Sequence, residues 1–318
     1  MRTPEYISPT GIMLFDQSEE DFYERYLADV KTPRDPQYPV MAVGSAFDAF
    51  IKSYLYKELK IGDDPTFELR TLFEAQVEEQ NRDEAWKIGE AVFEAYKKCG
   101  AAADLLIMLG DCTNPRFEFT LQGAVSGEFN SVNQENNPVL LGKPDLYFTH
   151  RDGGRVILDW KVNGYMSKRR PSPKKGYLSV LECEEGAFKK KQHKDVLEGT
   201  LHGIKINMAH PLELVDKNWA RQLAIYGWLL GEDVGNDFIV AVDQIVCGTG
   251  VVYGVAQHRC IIGEKYQKEL YTHVCEIWER CTNGHFFTDL SLEDSRARCL
   301  LMDQGPVDMT DFDTGRKR

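Results

Sequence analysis

The 318 residues contain no apolar run near the roughly 20 that a membrane-spanning helix needs. The stretch from Met1 to Gly11 has no apolar segment of signal-peptide type. Both absences lead us to expect a cytoplasmic protein with no membrane partner. The eight cysteines, at 99, 112, 183, 247, 260, 275, 281 and 299, include no pair spaced as CxxC. They read as free, buried thiols of a reducing compartment, not as a zinc or iron–sulfur framework. No serine–histidine pair and no cysteine nucleophile stands in an organised setting. His150, His193 and His202 fall in polar stretches and read as solvent-exposed. Internal repeats are lacking. Positive charge is also short overall: the formal net charge is −12, which excludes a protein coated with nucleic acid over its whole surface.

Positive charge is nevertheless concentrated in one place. From Lys161 to Lys205 there are eleven positive and five negative residues, a local net of +6. Within it Lys168, Arg169, Arg170, Lys174, Lys175, Lys189, Lys190 and Lys191 form dense runs. A solvated loop would account for such runs, but a long loop in a compact domain is usually functional. Placed just after the strand described below, they read as DNA-phosphate contacts, which bind without sequence preference and weaken with salt.

Ser8-Pro9 reads as a helix start, with Ser8 as N-cap and Pro9 at the first helical position. Ser18 before Glu19-Glu20-Asp21 reads as a second. Val40 to Leu59 is a helix whose apolar stripe runs through Val43, Phe47, Phe50, Ile51, Tyr54 and Leu55. Thr66 to Leu109 gives further helices, with Asp83 as a central N-cap and Trp86, Ile88, Val92, Phe93 and Tyr96 as core. The period then changes to that of strands over Arg116–Leu121, Val139–Phe148 and Arg155–Val162, the last two joined by the turn residues Arg151-Asp152-Gly153-Gly154. These three segments read as an antiparallel meander. Pro211 to Leu230 is a helix, followed by strands over 237–247 and 251–262 and helices over 264–281 and 292–302. The pattern is a single α/β domain over residues 1–302, with a helical N-terminal region and a basic insertion at about 163–207. The tail from 303 reads as disordered.

The hairpin carries Asp145 on one strand and Asp159 and Lys161 on the next. Asp159 and Lys161 are two apart, so they share a face. Carboxylates and an ammonium facing one apolar place are expensive unless something binds them, and a hard divalent cation takes carboxylate oxygens. Asp48, on the early helix, can add a third carboxylate, and the Val162 backbone carbonyl is a further candidate ligand. Read on its helix alone, Asp48 is better taken as a helix-surface aspartate, and Glu118 reads as facing water. Lys161 can orient or deprotonate an attacking water and offset charge in a phosphoryl transition state.

Pro144-Asp145, thirteen residues and then Asp159-Trp160-Lys161 resembles the signature of the PD-(D/E)xK nuclease superfamily. Gln222 and Tyr226 resemble the QxxxY motif of its RecB-like branch. Gly44-Ser45-Ala46-Phe47-Asp48 resembles that branch's GxxxH motif, and the paired helix starts at Ser8 and Ser18 resemble its N-terminal helices. Together the matched pieces span roughly residues 6 to 262. The resemblance implies a restriction-endonuclease-like core, a central mixed β-sheet flanked by helices. It implies a Mg²⁺- or Mn²⁺-dependent deoxyribonuclease of RecB or lambda-exonuclease type, working in recombination, repair or phage replication, in a bacterial or phage-infected cytoplasm. Metal ligation falls to Asp48, Asp145 and Asp159, and catalysis to Lys161, with Gln222 and Tyr226 lining the site. DNA is the implied partner; a single-strand annealing or single-strand binding protein, and an oligomer, stay open. A structure-specific or nicking endonuclease, and a non-catalytic DNA-binding protein on the same fold, are the alternatives. The chain departs from the pattern in having Asp48 where the family has histidine. It also lacks the cysteines of the iron–sulfur members, with Ser18-Glu19 at the first position and only Cys299 late in the chain, so no cluster is expected.

Overall fold

The computed structural model describes residues 1–30, 34–125, 137–163, 210–214, 216–248 and 251–304. In chain order the helices are α1 (Pro9–Gln17), α2 (Glu19–Phe22), α3 (Pro39–Glu58), α4 (Leu69–Gln76), α5 (Arg82–Lys98) and α6 (Ala101–Gly110). Strands β1 (Cys112–Phe117), β2 (Leu121–Ala124), β3 (Val139–Gly142), β4 (Leu146–His150), β5 (Arg155–Asn163) and β6 (His210–Pro211) follow. Then come α7 (Lys217–Leu229), β7 (Phe238–Gly248), β8 (Val251–Ile262), α8 (Glu264–Thr282) and α9 (Leu292–Asp303). None of the helices is long and apolar enough to cross a membrane.

The architecture is α/β, with a mixed sheet flanked by helices and a helical N-terminal region. The sheet has the order β1-β4-β5-β7-β8-β6. β1, β4 and β5 form the expected antiparallel meander, with Leu146 opposite Leu158 and Phe117 opposite Leu146. β5 then runs parallel to β7, with Asp159 opposite Val242 and Lys161 opposite Gln244. A parallel neighbour requires a crossover, and α7 lies in the connecting chain. β7 and β8 close the pair antiparallel. Alternation along β5 sends Leu158 and Trp160 to one face, where they join Phe47, Phe50, Ile51, Phe93, Tyr96 and Leu105 from α3, α5 and α6 in a buried core. Asp159 and Lys161 therefore go to the other face.

By its contacts the chain falls into two compact units. One comprises Pro36–Leu121 and Gly142–Gln267. The other comprises Met1–Asp35, Gln122–Leu141 and Lys268–Arg318. The sequence reads as one domain because the second unit is assembled from distant pieces, an association no local pattern encodes. In that unit Ser8 and Ser18 cap α1 and α2 as expected, accepting from the N–H groups of Gly11 and Asp21. Its core is aromatic: Phe22 stacks on Phe286, and Phe15 meets both edge-on.

Several boundaries differ from the sequence expectation. Val139–Phe148 is not one strand. It breaks at Lys143–Asp145 around Pro144, which cannot donate to a ladder, and β3 pairs instead with β2 in a separate two-stranded sheet. The strand predicted over Arg116–Leu121 ends at Phe117, because Glu118 takes a left-handed backbone at φ 47°. α5 starts at Arg82 after Asn81, so Asp83 lies in its first turn and is not its cap. The helix predicted from Pro211 begins at Lys217, where the Asp216 side chain accepts from the N–H groups of Asn218 and Trp219. The basic residues Lys168, Arg169, Arg170, Lys174, Lys175, Lys189, Lys190 and Lys191 lie outside the described residues, as does the tail from 305.

Candidate functional site

Two polar clusters meet at Asp145, which stands in the bend just before β4. All of their members belong to the unit that holds the six-stranded sheet. The first cluster forms on the side of α3. Asp48 and Lys52 are one turn apart, so they point the same way. The Lys52 side chain is wholly buried. Its ammonium donates to Asp48 Oδ2 at 2.6 Å, to Asp145 Oδ1 at 3.1 Å and to Glu118 Oε2. Its three donors are thereby used up. Gln76, at the end of α4, donates from Nε2 to Asp48 Oδ2 at 3.1 Å. One oxygen from each of Asp48, Glu118 and Asp145 lies within 4.8 Å of the other two.

The second cluster forms between β5 and α7. Lys161 Nζ donates to Gln222 Oε1 at 2.8 Å and pairs with Asp159 Oδ2. Gln222 Nε2 donates to Tyr226 Oη at 2.8 Å and to Asp159 Oδ1 at 3.3 Å. Every polar atom of the Gln222 side chain is engaged, and its orientation follows from its neighbours. Turned over, its oxygen would face the Asp159 carboxylate and its NH₂ the Lys161 ammonium. Gly142 lets α7 come this close: a Cβ there would sit 2.7 Å from Tyr226 Cδ1 and 3.0 Å from Leu229 Cδ1. The clusters are joined through Asp145, whose Oδ2 accepts from the backbone N–H of Trp160 at 3.1 Å.

The electrostatics follow from burial and crowding. Burial pushes Asp48 up, and although Lys52 pulls it back, Asp145 and Glu118 raise it again, to about 8. Asp159 is pushed up to about 7, by burial first and then against the pull of Lys161 with Asp145 adding to the rise. Asp145 goes the other way. Burial would raise it, but Lys52, Lys161 and the Trp160 N–H together hold it below the usual carboxylate range. For Lys52 burial alone would lower the value, and the three carboxylates raise it well above normal. Burial, with the Asp159 charge beside it, also raises the Tyr226 phenol.

The three carboxylates and one ammonium of the first cluster leave a formal deficit of two positive charges. Asp48 Oδ1 and Gln76 Oε1 are buried with no hydrogen-bond partner; the amide oxygen can only accept, and so can the Asp48 carboxylate when ionised. Oxygen donors, surplus negative charge and orphaned acceptors fit a hard divalent cation.

The ligand set differs from the expected one. Asp48, Asp145 and Asp159 do not form a single trio. Glu118 is exposed, as expected, but its left-handed backbone also brings its carboxylate to Lys52, beside Asp48 and Asp145. Asp159 is instead engaged by Lys161 and Gln222 on its own face of β5. Of the other candidates, Ser45 accepts from Gln37 Nε2 at 3.2 Å, away from the carboxylates. Gly44 has open space where a Cβ would lie. Val162 stands in the ladder opposite Ile245. Lys52 and Gln76 escape sequence reasoning. The signal for Lys52 was a charged residue next to the apolar stripe, four positions after Asp48; Gln76 gives no local signal.

No family model and no curated protein matches the chain. Among solved structures it is similar to one described as the crystal structure of SSO0001, at 11% identity, over 88% of this chain and 94% of that chain, with a TM-score of 0.28.

Proposed function

We propose that this chain is a metal-dependent DNA nuclease of the PD-(D/E)xK type, most simply an exonuclease, using Mg²⁺ or Mn²⁺. One observation carries the reading. Asp145, Asp159, Lys161, Gln222 and Tyr226, drawn from three separate stretches, fall into one hydrogen-bonded array that shares Asp145 with a carboxylate cluster. A mixed sheet that meanders from β1 through β4 to β5 and crosses over to β7 suits the restriction-endonuclease-like core that the resemblance implies.

In this reading Asp48, Glu118 and Asp145 would hold the cation, and Asp159, beside Asp145, would be a further ligand. When bound, the cation polarises the scissile phosphate and makes hydroxide available near neutral pH. Lys161 is held by Gln222 and Asp159 so that its ammonium faces the reacting phosphate. There it orients the attacking water and offsets charge as the transition state forms. Tyr226, accepting from Gln222, keeps its own proton to donate toward substrate. The basic segment after β5 grips the DNA backbone.

The test is cleavage of linear, nicked and covalently closed DNA in Mg²⁺ or Mn²⁺. Linear and nicked DNA should be degraded and closed circles spared, and Lys161→Ala should lose on the order of 10²-fold or more in rate. Wild type and Lys161→Ala behaving alike refutes the reading. Cleavage of closed circles makes the protein a nicking or structure-specific endonuclease. A second reading is favoured by the Lys52 ammonium, which already pairs with all three carboxylates: a non-catalytic DNA-binding protein on this fold. DNA binding without cleavage and without calorimetric metal binding would establish it.

A further inference from the structure

We propose that Lys52 is a built-in occupant of the Asp48–Glu118–Asp145 cage, and that a divalent cation binds there only by displacing its ammonium. This rests on the metal-dependent reading of the site and adds a residue that sets its metal affinity.

The argument is one of shared position. Lys52 is wholly buried, and its three ammonium donors go to the same three carboxylates whose oxygens lie within 4.8 Å of one another. Two of the oxygens it holds, Asp48 Oδ2 and Asp145 Oδ1, lie at 2.6 and 3.1 Å from its nitrogen. A cation bound to these oxygens would stand within hydrogen-bond distance of the ammonium. Two cations that close repel strongly in a buried site. Each carboxylate oxygen has a second lone pair, so the competition is for the position between the three carboxylates and not for the oxygens themselves.

The arrangement also explains how three crowded carboxylates, two of them partly buried and Glu118 exposed, coexist without a cation. Buried like charges are costly unless paired, and Lys52 pairs all three. The pairing is incomplete by two formal charges, and Asp48 Oδ1 is left without a partner. The cage is therefore stable enough to fold and still prefers a doubly charged guest. Lys52 would keep the cage closed to weakly binding ions. Loading would be favoured when a DNA phosphate arrives to receive the ammonium that is released.

The experiment measures metal affinity, not cleavage. Mn²⁺ is titrated calorimetrically into wild type and Lys52→Met, which keeps the length of the side chain and removes its charge. The dissociation constant should fall about tenfold or more in Lys52→Met. An unchanged or larger constant overturns the proposal. Lys52→Met could fail to fold without metal, so the same comparison is made between Glu118→Gln and Lys52→Met/Glu118→Gln. The double variant keeps the cage at its wild-type formal charge, and the two proteins differ only at Lys52. Tighter Mn²⁺ binding in the protein lacking Lys52 supports the proposal there too, and equal or weaker binding overturns it. If the affinity order holds and no DNA is cut, the inference stands and the nuclease reading falls. If DNA is cut and the order is absent, only the inference falls. Mn²⁺ binding by none of the four proteins overturns both.

Discussion

Gln222→Leu is the sharpest probe of the second cluster, because one side chain holds three others in place. The substitution keeps an apolar body of similar size and removes three hydrogen bonds. Lys161 loses its 2.8 Å acceptor, and Tyr226 and Asp159 lose donors at 2.8 and 3.3 Å. Bonds to charged groups contribute about 1.5–3 kcal/mol and neutral ones about 1 kcal/mol. The 3.3 Å bond to Asp159 counts at the low end. Since the three share one side chain, their losses overlap, and the net cost should be about 2–4 kcal/mol. It should appear as a lower urea midpoint with an unchanged slope, measured in chelator so that metal binding does not mask it. The double variant Gln222→Leu/Lys161→Met then isolates the Lys161 bond, with an expected coupling of about 1–2 kcal/mol. On the proposed function, loosening Lys161 by about an ångström should also cost on the order of 10²-fold in cleavage rate. A Gln222→Leu protein within about 0.5 kcal/mol of wild type, with zero coupling to Lys161, would refute the idea that Gln222 organises this cluster.

Two further outcomes follow from the same geometry. Asp48 and Asp159 bind protons more tightly folded, at about 8 and about 7, than unfolded. The stability this gives is fully present below the unfolded carboxylate value of 3.8 and is lost as pH rises to the folded values, so in chelator the melting temperature should fall between about pH 4 and about pH 8. Saturating Mn²⁺ should flatten that decline, and a melting temperature that rises over the interval in chelator would contradict it. Gly89→Ala should destabilise the fold by about 1–3 kcal/mol in urea titration despite the better helix propensity of alanine. Its Cβ would meet Ala46 Cβ at 2.5 Å and the backbone N of Phe47 at 3.1 Å, where α5 crosses α3. A stabilised Gly89→Ala would show that the two helices are not in contact there.

How far the sequence could be read depended on whether a feature is set locally. Asp159 and Lys161 share a face because strand geometry repeats every two residues, and Gln222 meets Tyr226 because a helix repeats every four. The caps at Ser8 and Ser18 use a side chain and an N–H three residues away. All of these were visible from spacing. Glu118 was only half visible: it is exposed, as the alternation implies, but a left-handed backbone also brings its carboxylate to Lys52. Lys52 was passed over because a lysine at the margin of an apolar stripe usually reaches solvent, and its burial depends on carboxylates 66 and 93 positions away. Gln76 reaches Asp48 from another helix, 28 positions on. The break at Pro144 had its own signal, a residue with no N–H to give to a ladder, yet the apolar residues on both sides suggested a continuous strand.

The two-faced strand β5 limits how this site can vary among descendants. Single residues can be exchanged one at a time, and each loss can be compensated nearby. Length cannot change in that way. Inserting or deleting one residue between Asp159 and Lys161 would carry the lysine through the sheet to the side of Tyr96, among apolar side chains, and would bring an apolar neighbour to Gln222. The interval of two is therefore a frame that mutation must preserve whole, while additions and losses of chain after Asn163 would leave it intact, because the strand has already delivered its charges.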